Sequence, residues 1–297
     1  MGGTEVKAST GEYMNSTGRD GLGPLDVIDR PFIGPEIADV DLEPFRSFNP
    51  LAFFSVFKSA AKNLTHGVSV VVKQGEKRKE LGKSVLYHSK HGEAVSIGQD
   101  ADINSHYLKY QAWLAQRPDE TIDKLVLYGV SRGAATTFNA VARHANEYSK
   151  HTKLVILEGC FSSVEDILQR RFGVFSDVAS GVLTNTTAYK KTGPSPIGNV
   201  ANIPGGIPFV FITSKKDTEV PLASTRLLAD TLAAKQKNDV YLLTLENSSH
   251  PEYMFDNQKD RDTYEAFIHA IYKKYGLDHK EGLASQGMDT LTSACLY

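Results

Sequence analysis

Cysteine is scarce: only Cys160 and Cys295 occur in 297 residues, far apart in the chain. That excludes a disulfide framework, and without a C-x-x-C pair there is no thiolate zinc motif. An excess of charge of either sign is missing too. The 33 lysines and arginines stand against 35 acids, a net of −2, which leaves no electrostatic footprint for nucleic acid or an anionic membrane. No apolar run reaches the roughly eighteen residues of a membrane helix. The opening M-G-G-T-E-V-K-A-S-T lacks the apolar segment of a secretory signal. It also carries Val6 where a myristoylation site wants Ser or Thr. Without a secretory signal, the N-x-S/T strings at Asn15, Asn63, Asn185 and Asn247 read as idle. No internal repeat occurs. The expectation is a cytoplasmic protein, or one secreted by a route that leaves no sequence mark. It has no nucleic-acid partner and no integral membrane segment, and its oligomeric state stays open.

What is present is the composition of an ordinary globular protein, 41% hydrophobic and 23% charged, enough for one large α/β domain or two small ones. Residues 1–44, rich in Gly, Ser, Thr, Asp and Pro, read as a flexible arm. The run from Pro50 (L-A-F-F-S-V-F-K-S-A-A-K-N-L) has apolar residues at helical spacing and reads as an amphipathic core helix. Strand-like runs follow at Val68–Val72 and Ser84–Tyr87, flanking a charged connector, and a short one is expected at Val95–Ile97. Asp102–Gln116 suits a packed helix. Beyond it the pattern alternates: strands at Leu125–Tyr128, Lys153–Leu157, Pro208–Thr213 and Val240–Leu245, and helices after Ser131, at Leu222–Ala234 and at Arg261–Tyr275. Such alternation argues a mostly parallel sheet covered by helices on both faces. The excursion 161–206, with helical patterns at Val164–Arg171 and Phe175–Leu183, reads as a small helical cap. The tail 276–297 is expected to be loose.

The chemistry centres on K-L-V-L-Y-G-V-S-R-G-A-A-T-T-F-N-A-V-A-R, residues 124–143. A strand, a glycine-flanked serine and an Ala-rich helix form the context of a nucleophile elbow, where Gly129 and Gly133 let strand and helix backbones pass closely. The string G-x-S-x-G is weak by itself. Gly67-Val68-Ser69 begins the same way but runs on into Val70 and Val71 inside a strand-like run. In a parallel sheet the reacting groups gather at the C-terminal ends of the strands. A serine nucleophile needs a base and an acid to orient that base. Asp217, in S-K-K-D-T-E-V-P, and His250, in E-N-S-S-H-P, each lie just past a strand. Glu158 and Glu219 are the rival acids.

On the G-V-S-R-G elbow, the K-D-T-E-V-P turn and the late S-S-H-P histidine, the chain from about Val68 to Tyr275 resembles an α/β-hydrolase. The resemblance implies a Ser131–His250–Asp217 triad, an acyl-enzyme intermediate and hydrolysis by water, with no metal or organic cofactor. It implies one domain over 45–275, with 161–206 as its cap. One oxyanion donor would be the N–H of Arg132. The other would come from Y-H-S-K-H-G-E at 87–93, at Ser89 or Lys90, although the histidine-glycine string of many lipases and esterases is missing there. Gly98–Asp102 either lines the pocket or caps the following helix through Asp100 or Asp102. Arg132, Arg170 and Arg171 either accept an anionic group or belong to a solvated face. The expected substrate is a small ester, thioester or lipid-like molecule. A peptidase of the same fold and a catalytically idle binding protein are the alternatives.

Overall fold

The computed structural model describes residues 70–74, 83–87, 96–115, 125–186, 188–250, 253 and 256–296. The arm 1–44, the helix expected from Pro50, and Ser89 with its loop lie outside the described residues. So does Val95, and Ser96 and Ile97 belong to no strand.

Among the described residues, six strands form one sheet in the order β2-β1-β3-β4-β5-β6. They are β1 (Val70–Gln74), β2 (Lys83–Tyr87), β3 (Leu125–Val130), β4 (Thr152–Glu158), β5 (Phe209–Ser214) and β6 (Val240–Leu245). β3 through β6 are parallel, while β1 runs antiparallel to both its neighbours. The helices are α1 (Asp100–Ala115), α2 (Arg132–Arg143), α3 (Ala145–Tyr148), α4 (Val164–Phe172), α5 (Ser176–Thr186), α6 (Pro196–Asn199), α7 (Leu222–Ala233), α8 (Gln258–Lys274) and α9 (Glu281–Ala294). This is the α/β-hydrolase architecture the sequence leads one to expect.

The central strands read as unbroken apolar runs because both sheet faces are covered. Side chains alternate along each strand. Leu125, Leu127, Val155, Leu157, Phe209 and Phe211 join the core that α1, α2 and α7 cover. Val126, Tyr128, Leu154, Ile156, Val210 and Ile212 join the core beneath α8 and α9. The region 161–206 packs through a third cluster, in which Phe161, Leu168, Leu183 and Tyr189 meet Ile97, Ala135 and Val220. Its Val174, Phe175 and Val178 are exposed. Most of the apolar content of this region is therefore core. Among the described residues, no helix is long and apolar enough to cross a membrane.

The tail departs from expectation. In place of a loose end, residues 281–294 form α9, which buries Ala284, Gly287, Leu291 and Ala294 against the domain. Beyond it Leu296 donates its N–H to the Val240 carbonyl at 2.8 Å, covering the open edge of β6. The tail's weak apolar content hid the helix, because α9 packs by close approach more than by bulk. A Cβ on Gly287 would stand 2.1 Å from the Ala266 carbonyl oxygen of α8. Gly287→Ala should therefore push the two helices apart and cost about 1–3 kcal/mol, read as a lower denaturation midpoint. A variant as stable as the parent would show that α9 does not dock this closely.

Candidate active site

β3 runs straight into Ser131, and α2 starts at the next residue. Ser131 has φ 54° and ψ −119°, a conformation L-residues rarely adopt. Three contacts hold it there. Its N–H donates to the Glu158 carbonyl at 2.7 Å, and its own carbonyl accepts from the N–H groups of Ala134 and Ala135 at 3.0 and 3.2 Å. Gly129 provides the clearance, since a Cβ there would lie 2.6 Å from the Gly133 carbonyl oxygen. Although Ser131 is the N-cap of α2, its hydroxyl makes no capping bond. Arg132, the expected oxyanion donor, is the first residue of α2 and is buried. Its backbone N–H is thus at the helix N-terminus, where partial positive charge collects.

Asp217 follows β5 in a tight turn. Its Oδ1 accepts from the N–H groups of Glu219 and Val220 at 2.8 and 2.7 Å. His250 follows β6, and its Nδ1 lies 2.8 Å from Asp217 Oδ2. The side chains are closed off from solvent, 7% exposed for His250 and 0% for Asp217. Burial pushes the Asp217 pKa up, but the His250 charge and hydrogen bond, with those from Tyr253 and Val220, outweigh it. The carboxyl therefore ends below its usual range. Burial pushes His250 down, and the Asp217 charge and hydrogen bond, backed by Glu219 and Glu158, reverse that and raise it.

Gly159 lies against the histidine of this pair. It directly follows Glu158, whose carbonyl holds the Ser131 N–H, and it takes φ +53°. A Cβ on it would fall 2.7 Å from His250 Cε1. The imidazole therefore rests on the residue next to the one that anchors Ser131. The His250 loop is fixed from α8. Asp260 accepts from the Asn247 and Ser248 N–H groups at 2.7 Å each and from the Ser248 hydroxyl at 2.8 Å. Asp256 accepts the Ser249 N–H at 2.8 Å.

Asp217, not Glu158, is thus the acid that the fold joins to His250. The Glu158 carboxylate is fully buried and accepts from the Tyr264 hydroxyl. Glu219 pairs with Arg171 at 2.8 Å. Arg171 also donates to the Thr218 carbonyl, and Arg170 pairs with Asp166 at 2.7 Å, so both arginines serve the domain's own acids. Around Gly98–Asp102, side chains tie down the start of α1, and the helix N–H is taken by Ser96, not by Asp100 or Asp102. Asp102 accepts the Gly98 N–H at 2.7 Å, and Ser96 Oγ accepts the Asp102 N–H at 3.1 Å. Gln99 ties this turn to 161–206 through the Lys190 N–H and carbonyl, both at 2.8 Å. The expected second oxyanion loop follows β2 in the sequence and lies outside the described residues. Tyr87 is in register with Val70, and Val70 with Gly129, so β2 ends level with the elbow but two strands away.

Sequence reasoning did not find Gly159, Tyr253 or Asp260. Glu158-Gly159 at a strand end was a faint signal for the first. Asp260 read only as an acid in the first turn of α8, and nothing marked Tyr253, three residues past the histidine.

A strained serine between strand and helix, with an Asp–His pair gathered at the same sheet edge, defines the α/β-hydrolase class. The model of the prolyl oligopeptidase family matches residues 100–275, more than half of the chain. The chain belongs to the prolyl oligopeptidase family, a family of serine hydrolases. Among solved structures, the acylaminoacyl peptidase of Pyrococcus horikoshii is 15% identical, with 60% of this chain and 28% of that one covered at a TM-score of 0.45. An esterase from Pyrococcus furiosus is 14% identical, with 80% and 77% covered and a TM-score of 0.46. An esterase from Thermogutta terrifontis is 15% identical, with 68% and 75% covered and a TM-score of 0.47. The chain thus spans little more than a quarter of the length of the peptidase. No curated protein matches it.

The Asp217–His250 pair gives a titration test. His250 has its pKa raised in the fold, so its share of stability is complete below about 6.5 and fades as pH climbs through the folded value. Asp217 has its pKa lowered, so its share is present above about 3.9 and fades as pH falls through the folded value. Asp217→Asn should move the His250 ring-proton NMR titration to lower pH than in the parent. An unmoved titration would mean that the carboxylate does not control the imidazole.

Proposed function

We propose that the chain hydrolyses a carboxylic ester or thioester through an acyl-enzyme formed on Ser131. The observation that carries this reading is the Asp217–His250 hydrogen bond at 2.8 Å, in a fold that also holds Ser131 strained with its hydroxyl free of any capping bond. His250 accepts the Ser131 proton as the hydroxyl attacks the carbonyl carbon, and returns it to the leaving alcohol or thiol. Water, deprotonated by the same imidazole, then releases the acid. Asp217 holds the Nδ1–H and stabilises the imidazolium. The N–H groups of Arg132 and Ser89 receive the oxyanion. The triad uses protein groups throughout and calls for no cofactor. In this reading 45–275 is the hydrolase domain and 161–206 its cap. The third apolar cluster runs from that cap to Ala135, one helical turn past Ser131, which favours an apolar, lipid-like acyl group.

A peptide bond is the second reading, favoured by membership of the prolyl oligopeptidase family. Labelling with a fluorophosphonate probe tests the shared chemistry. The native chain should be labelled at neutral pH and Ser131→Ala should not, and an unlabelled native chain would leave only a binding role. p-Nitrophenyl esters compared with peptide anilides then separate the two readings. Faster turnover of the esters by their kcat/KM values supports the first, and cleavage confined to the anilides supports the second. Asp217→Asn should lower kcat by about 10⁴-fold, with Glu158→Gln much milder. The reverse order would reassign the acid.

A further inference from the structure

One buried group at the site has no part in the proton transfers above. Tyr253 is fully buried, and its hydroxyl donates to Asp217 Oδ2, the oxygen that also faces His250 Nδ1. With the Glu219 and Val220 N–H groups on Oδ1, the carboxylate has four donors, close to its full capacity. The Tyr253 ring meets the His250 ring edge-on, with centroids 6.0 Å apart at 83°. Gly159 forms the wall they share. A Cβ there would lie 2.7 Å from His250 Cε1 and 3.1 Å from the Tyr253 hydroxyl oxygen.

We infer that Tyr253 is a positioning residue for the dyad, fixing the plane of the Asp217 carboxylate and drawing off part of its charge, and so setting the basicity of His250. The inference rests on the hydrolase reading for its consequence in catalysis. A tyrosine kept only to fill space would do so as well without a buried hydroxyl, which costs desolvation unless bonded. Here the hydroxyl is spent on the one oxygen that orients the imidazole. Burial, then the Asp217 and Glu158 charges, push the phenol pKa well up, so the group remains a donor at every working pH. The charged groups that act on His250 are Asp217 and Glu219 from the turn after β5 and Glu158 from the end of β4. Glu219 is already paired with Arg171. Among these, Asp217 is the one whose charge Tyr253 moderates by direct bonding.

Tyr253→Phe in the full chain removes the donor and keeps the ring. The Asp217 charge then bears more strongly on His250. The acidic limb of the kcat/KM profile for p-nitrophenyl acetate should move up by about half to one pH unit. kcat should fall about tenfold, with KM changed less than about twofold. Replacing Tyr253 with 3-fluorotyrosine, a more acidic phenol and better donor of the same shape, should shift the limb the other way. NMR titration of the His250 ring reads the same shifts without any substrate. If Tyr253→Phe loses thermal stability while limb and ring titration stay put, Tyr253 is a core residue only. Should Tyr253→Phe fail to fold, the fluorotyrosine protein decides alone, and an unmoved titration overturns the inference. A native chain that resists fluorophosphonate while the ring titration shifts would sink the hydrolase reading and leave this one standing.

Discussion

The bond from the Ser131 N–H to the Glu158 carbonyl is the constraint on which the arrangement at the sheet edge depends. A non-glycine residue at φ 54° carries strain of about 1–3 kcal/mol and persists only where its surroundings over-determine it. Here the anchor on β4, the two first-turn bonds of α2 and the bare backbone of Gly129 do so. The same rung repeats across the sheet. Gly159 donates to the Ile212 carbonyl of β5 at 2.8 Å, and Lys215 to the Leu245 carbonyl of β6 at 2.9 Å. Each parallel pairing thus runs one step past its strand. β3 and β4 end level, at Val130 and Glu158, opposite Ile212 and Leu243, whereas β5 and β6 run on two residues to Ser214 and Leu245. The loops bearing Asp217 and His250 therefore start one step higher than Ser131.

His250 lies five residues beyond β6 and needs separate support. Asp260 supplies it by facing back from the first turn of α8. It gathers the Asn247 and Ser248 amides, and its carboxyl pKa stays below the usual range because these hydrogen bonds outweigh the cost of burial. An acid in the first turn of a helix is favourable in itself. In this chain the same charge also ties the histidine loop to the helix that packs beneath the sheet. The edge-strand cover from α9 and Leu296 steadies β6 from its other side. Helix α8 therefore links the core beneath the sheet to the histidine above it.

How much of this the sequence revealed follows from the range of the interactions. The central strands were legible because two covered faces force continuous apolar runs, and the elbow because its glycines answer a local steric demand. Asp217 and His250 were legible from their places after strands. Tyr253, Gly159 and Asp260 act through residues 36, 91 and 12 positions away respectively, and no local pattern encodes that. Helix α9 was missed for a related reason. Its seam uses Ala and Gly, so that two helices can approach backbone to backbone, and a scan for bulky apolar periodicity passes over it.

Asp217 and Glu158 both act on the imidazole, and what separates them is how each is satisfied. Glu158 is buried on the α8 side and spends its carboxylate on the Tyr264 hydroxyl, a partner from the core beneath the sheet. It reaches His250 only as a distant charge. Asp217 sits on a turn whose own N–H groups fill one oxygen and leave the second facing the histidine. A glutamate at 217 would carry an extra methylene and lose that short turn bonding, which requires the Asp side-chain length. The division of labour then follows from geometry. Glu158 contributes its backbone carbonyl to Ser131, and Asp217 contributes its side chain to His250. The two acids support different members of the proposed triad from adjacent strands.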